Sequence, residues 1–249
     1  AWRVGFIIGG LLGFVGYYIR RNLHETPQFE NIDKQQRLSF SSLISTYGAN
    51  LIAGICIVII VAFGGVMLTL YIHKFVEDII PMYNSGQISL ILTPSVFVLT
   101  CFVFIYGYLS DKFGIARMFK LGSALVMIVS VPVFYLMSAW ASPLGVIITS
   151  IAIMLCYALV ASTFIFLLCD LFPTDVRLSG VGISYNLAFA IVGGIAPLVS
   201  TTIITMTDYN FFGPALVGIV CGAVGLVGVA IYMKKGGYHK DNKDMIVKL

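Results

Sequence analysis

An all-α, polytopic membrane protein is the fold class this sequence predicts, and three observations carry it. Of the 249 residues, 59% are hydrophobic and only 10% are charged. A soluble domain carries about 25% charged residues, so this chain lacks the polar cover that a water-exposed surface needs. The mean hydropathy is +0.99. The apolar residues also come in long runs, and a run of about 18 or more spans the bilayer core as a helix. Helices follow because each then satisfies its own backbone polar groups, which lipid cannot do.

Seven runs are long enough: Trp2–Ile19, Tyr47–His73, Ser89–Leu109, Met118–Ser138, Leu144–Cys169, Gly182–Met206 and Gly213–Met233. Two of them contain residues that loosen a helix. Gly64 and Gly65 interrupt the second, and Gly193, Gly194 and Pro197 the sixth. Backbone groups freed in this way must be satisfied by protein or by water in a cavity, so broken helices either mark transport sites or mark close packing of small residues.

The connections predict orientation. Arg20, Arg21, Lys34 and Arg37 follow the first span, Lys112, Arg117 and Lys120 border the third connection, and Arg177 lies in the fifth. Lys234, Lys235, Lys240, Lys243 and Lys248 fill the tail, whereas the alternate connections hold Lys74 between them. Basic residues stay on the cytoplasmic side, which places the C-terminus there and the N-terminus opposite. The polar stretch Glu25–Ser42 reads as a helix lying along that face. The chain starts at Ala1 in an apolar run, without a signal-peptide pattern, which suggests a piece cut from within a larger protein.

Two connections concentrate charge. One reads GYLSDKFG from Gly107 to Gly114, with Asp111 and Lys112 inside it and Arg117 three residues on. Asp111 can cap the next helix or pair with Arg117. The other runs from Asp170 through Pro173 to Arg177; the arginine can fold back on Asp170 or reach Asp111 across the bundle. Two acid–base clusters on one side of a membrane make the expected layout of a cytoplasmic gate.

At depth the charges vanish. The polar residues there are Tyr157, Ser162, Thr163, Ser184, Tyr185 and Asn186. An unpaired amide in hydrocarbon is costly, so Asn186 either lines a substrate path or bonds another helix. Tyr71, Tyr106 and Tyr157 offer faces on which a quaternary ammonium stacks, or serve as ordinary membrane aromatics. His73 stands near the outer end of its span, either as a proton carrier or as an interfacial residue. The cysteines (Cys56, Cys101, Cys156, Cys169, Cys221) have neither CxxC nor metal spacing and read as small buried hydrophobes. No phosphate loop, zinc motif or nucleophile triad is present, so neither an enzyme, a cofactor, a metal centre nor a nucleic-acid binder is indicated.

The loop from Gly107 to Gly114 resembles the GxxxD(R/K)xG(R/K)(R/K) signature of the major facilitator superfamily, departing from it at Ile115 and Ala116, where two basic residues usually follow. Asp170 to Arg177 resembles the ExxxxxxR motif of its sugar-porter-like members, with Asp in place of Glu. Trp2, Arg3 and Phe6, then RRNLHETPQF from Arg20 to Phe29, are similar to "GWRxPF…LRRxLxETPxF". LFPTDVR from Leu171 to Arg177, with Tyr185, Asn186, Gly193, Gly194 and Pro197 after it, is similar to "LFPTxVRxxGxxxxYNxxxxxxGGxxP". Both patterns typify the metabolite:proton symporters, which include proline/betaine and α-ketoglutarate transporters. The resemblance implies that residues 1–19 are the last helix of an N-terminal half, 20–46 the cytoplasmic linker, 47–233 the C-terminal six-helix bundle and 234–249 the cytoplasmic tail. The bundle's two trios of helices would then be inverted repeats, as the superfamily's halves are.

The same resemblance implies proton-coupled symport of a small polar solute by alternating access, in a bacterial inner membrane. The solute would be proline, betaine or a small carboxylate. The gate would comprise Gly107, Asp111, Lys112, Gly114, Arg117, Asp170 and Arg177, and Tyr157, Tyr185 and Asn186 would line the substrate path. The expected partners are solute, protons, the lipid bilayer and the N-terminal half, whose five earlier helices the chain does not contain. The alternative expectation is a non-transporting remnant, or a half that works only beside a separately made N-terminal half.

Overall fold

Asn84 shows how the helices are started. Its side chain accepts from the Gln87 amide while the Gln87 side chain accepts from the Asn84 amide, a reciprocal capping box at the head of a 29-residue helix. Ser142 caps the next entry, accepting from the Gly145 amide, with Pro143 in the first turn, where its missing N–H costs nothing. These polar caps lie just outside the apolar runs, so the helices begin earlier than hydropathy suggests.

The structure is a computed structural model that describes residues 2–22, 40–207 and 211–235. Its helices are α1 (Trp2–Asn22), α2 (Phe40–Val66), a π-helical turn (Met67–Tyr71), α3 (Ile72–Ile79), α4 (Ser85–Phe113), α5 (Ile115–Ala139), α6 (Pro143–Ala161), α7 (Phe164–Asp170), α8 (Arg177–Met206) and α9 (Phe212–Lys235). Two units result, residues 1–38 and 39–249. The first holds α1, which coincides with the first predicted span and ends on Arg20 and Arg21. The surface helix expected over Glu25–Ser42 falls largely outside the described residues, as does the tail from Gly236.

The second unit is an antiparallel bundle. Six of its segments are long and apolar enough to cross a membrane: Leu43–Ile79, Ser85–Phe113, Ile115–Ala139, Pro143–Asp170, Arg177–Met206 and Phe212–Lys235. All six predicted spans there are present, each lengthened at one end or both. α2 is the spine, packed between α9 and α8, while α5 joins α9 to α6 and α6 carries α4. Burial follows this order: 67% of the apolar window of the α2 segment is buried, against 17% for α4 and 22% for α8. The two edge helices therefore present most of their surface outward.

Small residues let the helices close up. Gly222, Gly225 and Gly228 of α9 meet Met127, Ile60 and the Cys56–Ile57 backbone at distances that leave no room for a methyl group. Gly64 is tighter still: a Cβ there would lie inside the Tyr157 ring.

The expected breaks are half right. The second span leaves α-helical winding immediately after Gly64 and Gly65, in the π turn. In the sixth, α8 runs unbroken through Gly193, Gly194 and Pro197. Pro197 removes one backbone donor from α8, and the helix continues through it without a break. A break that the apolar pattern hides occurs in the fifth span, between α6 and α7, at Ser162 and Thr163.

Candidate functional site

Helix direction puts the charged connections at one end of the bundle. α2 starts there, α4 ends and α5 starts there, α7 ends and α8 starts there, and α9 finishes there. Lys112, Arg117, Lys120, Arg177, Lys234 and Lys235 are at this end, and Lys74 is at the other, paired with Asp78 at 3.0 Å and Glu77 at 3.5 Å.

At the basic end, α4 and α5 are joined through Gly114 alone. Its φ of 95° closes α4, with its amide bonded to the Ser110 carbonyl, and it stands at the head of α5. Side chains rarely accept that φ, which explains the glycine. Ser110 Oγ donates to the Gly107 carbonyl at 2.7 Å, finishing α4. The Lys112 ammonium lies 4.6 Å from the centre of the Tyr108 ring. Asp111 and Arg117 are both exposed, and no ion pair joins them. Neither expected contact forms: Asp111 does not pair with Arg117, and no side chain caps α5.

The second cluster is built differently from expectation. Asp170 is 6% exposed. Its Oδ2 accepts from the Tyr232 hydroxyl at 2.6 Å, which ties the end of α7 to α9. Arg177 stays on its own loop, where Nε donates to the Phe172 carbonyl at 3.1 Å. Asn50 completes the junction: its Nδ2 donates to the Leu171 carbonyl at 2.6 Å, and its Oδ1 accepts from Lys235 Nζ at 2.9 Å. Sequence reasoning missed Asn50, Tyr232 and Lys235. Their signal was a polar group at the end of each apolar run, without any hint of which ends meet.

The residues expected along a substrate path separate. Tyr157 is a core side chain, 6% exposed, whose hydroxyl donates to the Val61 carbonyl at 3.0 Å across the Gly64 contact. Tyr185 stacks on Phe189 with ring centres 4.5 Å apart. Asn186 is exposed on α8, and its Nδ2 donates to the Gly182 carbonyl at 2.8 Å, so its amide is satisfied within its own helix rather than by a neighbour. Ser162 and Thr163 bond the Leu159 carbonyl at the α6–α7 break. Ser184 is fully buried, its Oγ facing Gly54 without a hydrogen-bond partner. Of the cysteines, Cys221 is buried and Cys101 is exposed on α4, so the expectation of buried thiols fails at Cys101.

The polar surface at depth is elsewhere. A groove of about 440 Å³ opens between the π turn with α3 on one side and α4 on the other. Thr69 and His73 face Ser89, Thr93 and Thr100 across it, with Leu92, Val96 and Phe97 between. Every hydroxyl is already a donor to its own helix. Thr69 bonds Gly65 O at 2.5 Å, Ser89 bonds Ser85 O at 2.9 Å, Thr93 bonds Ser89 O at 2.7 Å and Thr100 bonds Val96 O at 3.0 Å. Single π turns within long helices often accompany functional sites. From Ser89 to Thr100 the groove runs about 16 Å along α4 at 1.5 Å per residue. It therefore descends from the Lys74 end to about the middle of the bundle. The sequence signal was a hydroxyl at intervals of four and seven residues on one face of α4. Among the described residues, no group of His, Cys, Asp and Glu could hold a metal ion.

The family model of the Major Facilitator Superfamily matches residues 1–197. An ectoine/proline transporter of Corynebacterium glutamicum is 29% identical over 92% of this chain and 47% of its own length. A proline/betaine transporter of Escherichia coli K12 is 27% identical over 91% of this chain and 47% of its own. The chain thus spans about half the length of the curated relatives it matches. No solved structure matches.

Proposed function

The chain belongs to the major facilitator superfamily, and from that premise we propose that it forms one half of a proton-coupled symporter for a small zwitterionic solute such as proline or betaine. A small carboxylate is the related alternative. The carrying observation is the alignment of nine-tenths of this chain with relatives that are named as transporters of such solutes. The groove between the π turn and α4 supports it, because it gathers four hydroxyls and an imidazole on one side of the bundle.

In this reading the basic end is cytoplasmic and the Lys74 end faces outward, in the inner membrane of a bacterium. The groove opens outward. Asp111, Lys112, Arg117, Asp170 and Arg177 sit at the cytoplasmic end, where a gate must open and close. A second helical bundle completes the path, and the two rock about the solute so that access alternates. The described spans carry no carboxylate at mid-depth, so the coupling proton would be held by that second bundle.

The test is uptake of labelled proline, betaine and α-ketoglutarate by a bacterium lacking its own transporters, with this chain expressed alone or together with the preceding helices of its gene. Uptake by the longer form alone, abolished by a protonophore, is the expected result. Uptake insensitive to the protonophore would remove the proton coupling, and uptake of none of the three would remove the substrate class.

A further inference from the structure

The lining of the groove is mostly apolar, and what polarity it has accepts hydrogen bonds far better than it donates them. A hydroxyl owns one proton and two acceptor lone pairs. At Thr69, Ser89, Thr93 and Thr100 that proton is committed to a backbone carbonyl of the same helix. What remains for an occupant is a row of oxygen lone pairs. The apolar remainder of the lining, Leu92, Val96 and Phe97, offers no donor. His73 is the single lining residue with an N–H to give, and it stands toward the Lys74 end, shallower than Thr93 and Thr100.

From this asymmetry we infer that the groove selects solutes whose cationic nitrogen still carries N–H, primary or secondary ammonium zwitterions, and disfavours fully methylated ones. This rests on the transport reading above and narrows its substrate class. The ammonium end takes the deeper hydroxyl oxygens, because each N–H⁺ to oxygen bond is charge-assisted and about twice as strong as a neutral one. The carboxylate fits worse there, since each hydroxyl would have to leave its own backbone carbonyl to donate to it, so it turns toward His73 and the open mouth. A quaternary nitrogen fits the volume but has no proton to place on Thr93. Sites that hydrogen-bond a ligand N–H discriminate against analogues that lack it, because the bond to the site is then not made. The inference sets this chain apart from its E. coli relative, which is named for betaine as well as proline.

A matched pair of ligands isolates the nitrogen: L-proline, with two N–H, and N,N-dimethylproline, with the same ring and carboxylate and none. Binding of each to the purified transporter in detergent is measured by isothermal titration, for the wild type and for Thr93→Val, which keeps the shape and deletes the oxygen. The wild type is expected to bind L-proline about tenfold or more tightly than the dimethyl compound, the loss of one charge-assisted bond. Thr93→Val is expected to erase that difference by weakening L-proline alone, and Thr93→Ser to restore it. Equal wild-type affinity for the two, binding of neither, or an equal loss of both in Thr93→Val overturns the inference; the last outcome assigns the hydroxyls to helix packing. Binding split as expected, with no uptake of any zwitterion in cells, overturns the transport reading and leaves the groove's selectivity standing.

Discussion

Replacing Gly64 with alanine tests the packing at the centre of the bundle. The added methyl would overlap the Tyr157 ring. That ring has nowhere to retreat, being 6% exposed and held by its hydroxyl on the Val61 carbonyl at 3.0 Å. Overpacking a filled core costs about 1–3 kcal/mol. Pulling Tyr157 off its carbonyl adds about 1 kcal/mol. Alanine returns up to about 1 kcal/mol through its better helix propensity. The net expectation is a loss of about 1–3 kcal/mol, a sizeable share of a total stability of about 5–15 kcal/mol. Reversible unfolding in mixed micelles reads this directly for the wild type, Gly64→Ala, Tyr157→Leu and the double variant. Leucine vacates the volume occupied by the phenol, so the double variant should be more stable than the sum of the single losses predicts by about 1–2 kcal/mol. Additivity to within about 0.5 kcal/mol would refute the contact as the cause.

Tyr232→Phe removes the hydroxyl bonded to the buried Asp170 and should cost about 1.5–3 kcal/mol in the same unfolding assay, the range for a bond to a charged group; a loss too small to measure would mean that water replaces it. Asn50→Ala deletes both the bond to the Leu171 carbonyl and the acceptor for Lys235, and should cost more than Lys235→Ala, because only the first of these bonds is shielded from water. Gly114→Ala forces a side chain onto a φ of 95° and should lose about 1–3 kcal/mol, whereas Gly107→Ala, with open space around it, should not. Pro197→Ala supplies the amide that α8 lacks at that turn and should leave the melting temperature unchanged or raised; a marked drop would show that the proline sets a bend the bundle needs.

The helices were legible because lipid leaves a spanning chain no other way to satisfy its backbone, and an apolar run of sufficient length is therefore a span. Their ends were less so. Asn84, Ser142 and Pro143 begin helices from polar positions that a hydropathy window discards. The α6–α7 break at Ser162 and Thr163 lies inside a run that stays apolar on both sides, so nothing in composition separates it from unbroken helix. Pro197 carried the opposite signal, and α8 runs through it unbroken. The charged connections were placed correctly at one end, but their partners were not, since Asp170 meets Tyr232 from a helix 62 residues away in sequence. The packing of Tyr157 was hidden for a related reason: its neighbour is the bare backbone at Gly64, a fit that exists only after α2 and α6 have closed. The hydroxyl row of α4 was the reverse case, present as a period in the sequence but carried by residue types that are common in membrane helices.

The join at Gly114 has a mechanical consequence. Most neighbouring helices are linked by several residues of slack, in which a tilt of one can die out before it reaches the next. α4 and α5 share one joint and no rope. Any swing of the groove-bearing helix at its basic end is handed to α5 as a displacement of its first turn, and α5 is braced on α6 and α9. An event at the mouth of the groove, beside Ser89, is thus passed along a single helix and through Gly114 to the opposite end of the bundle.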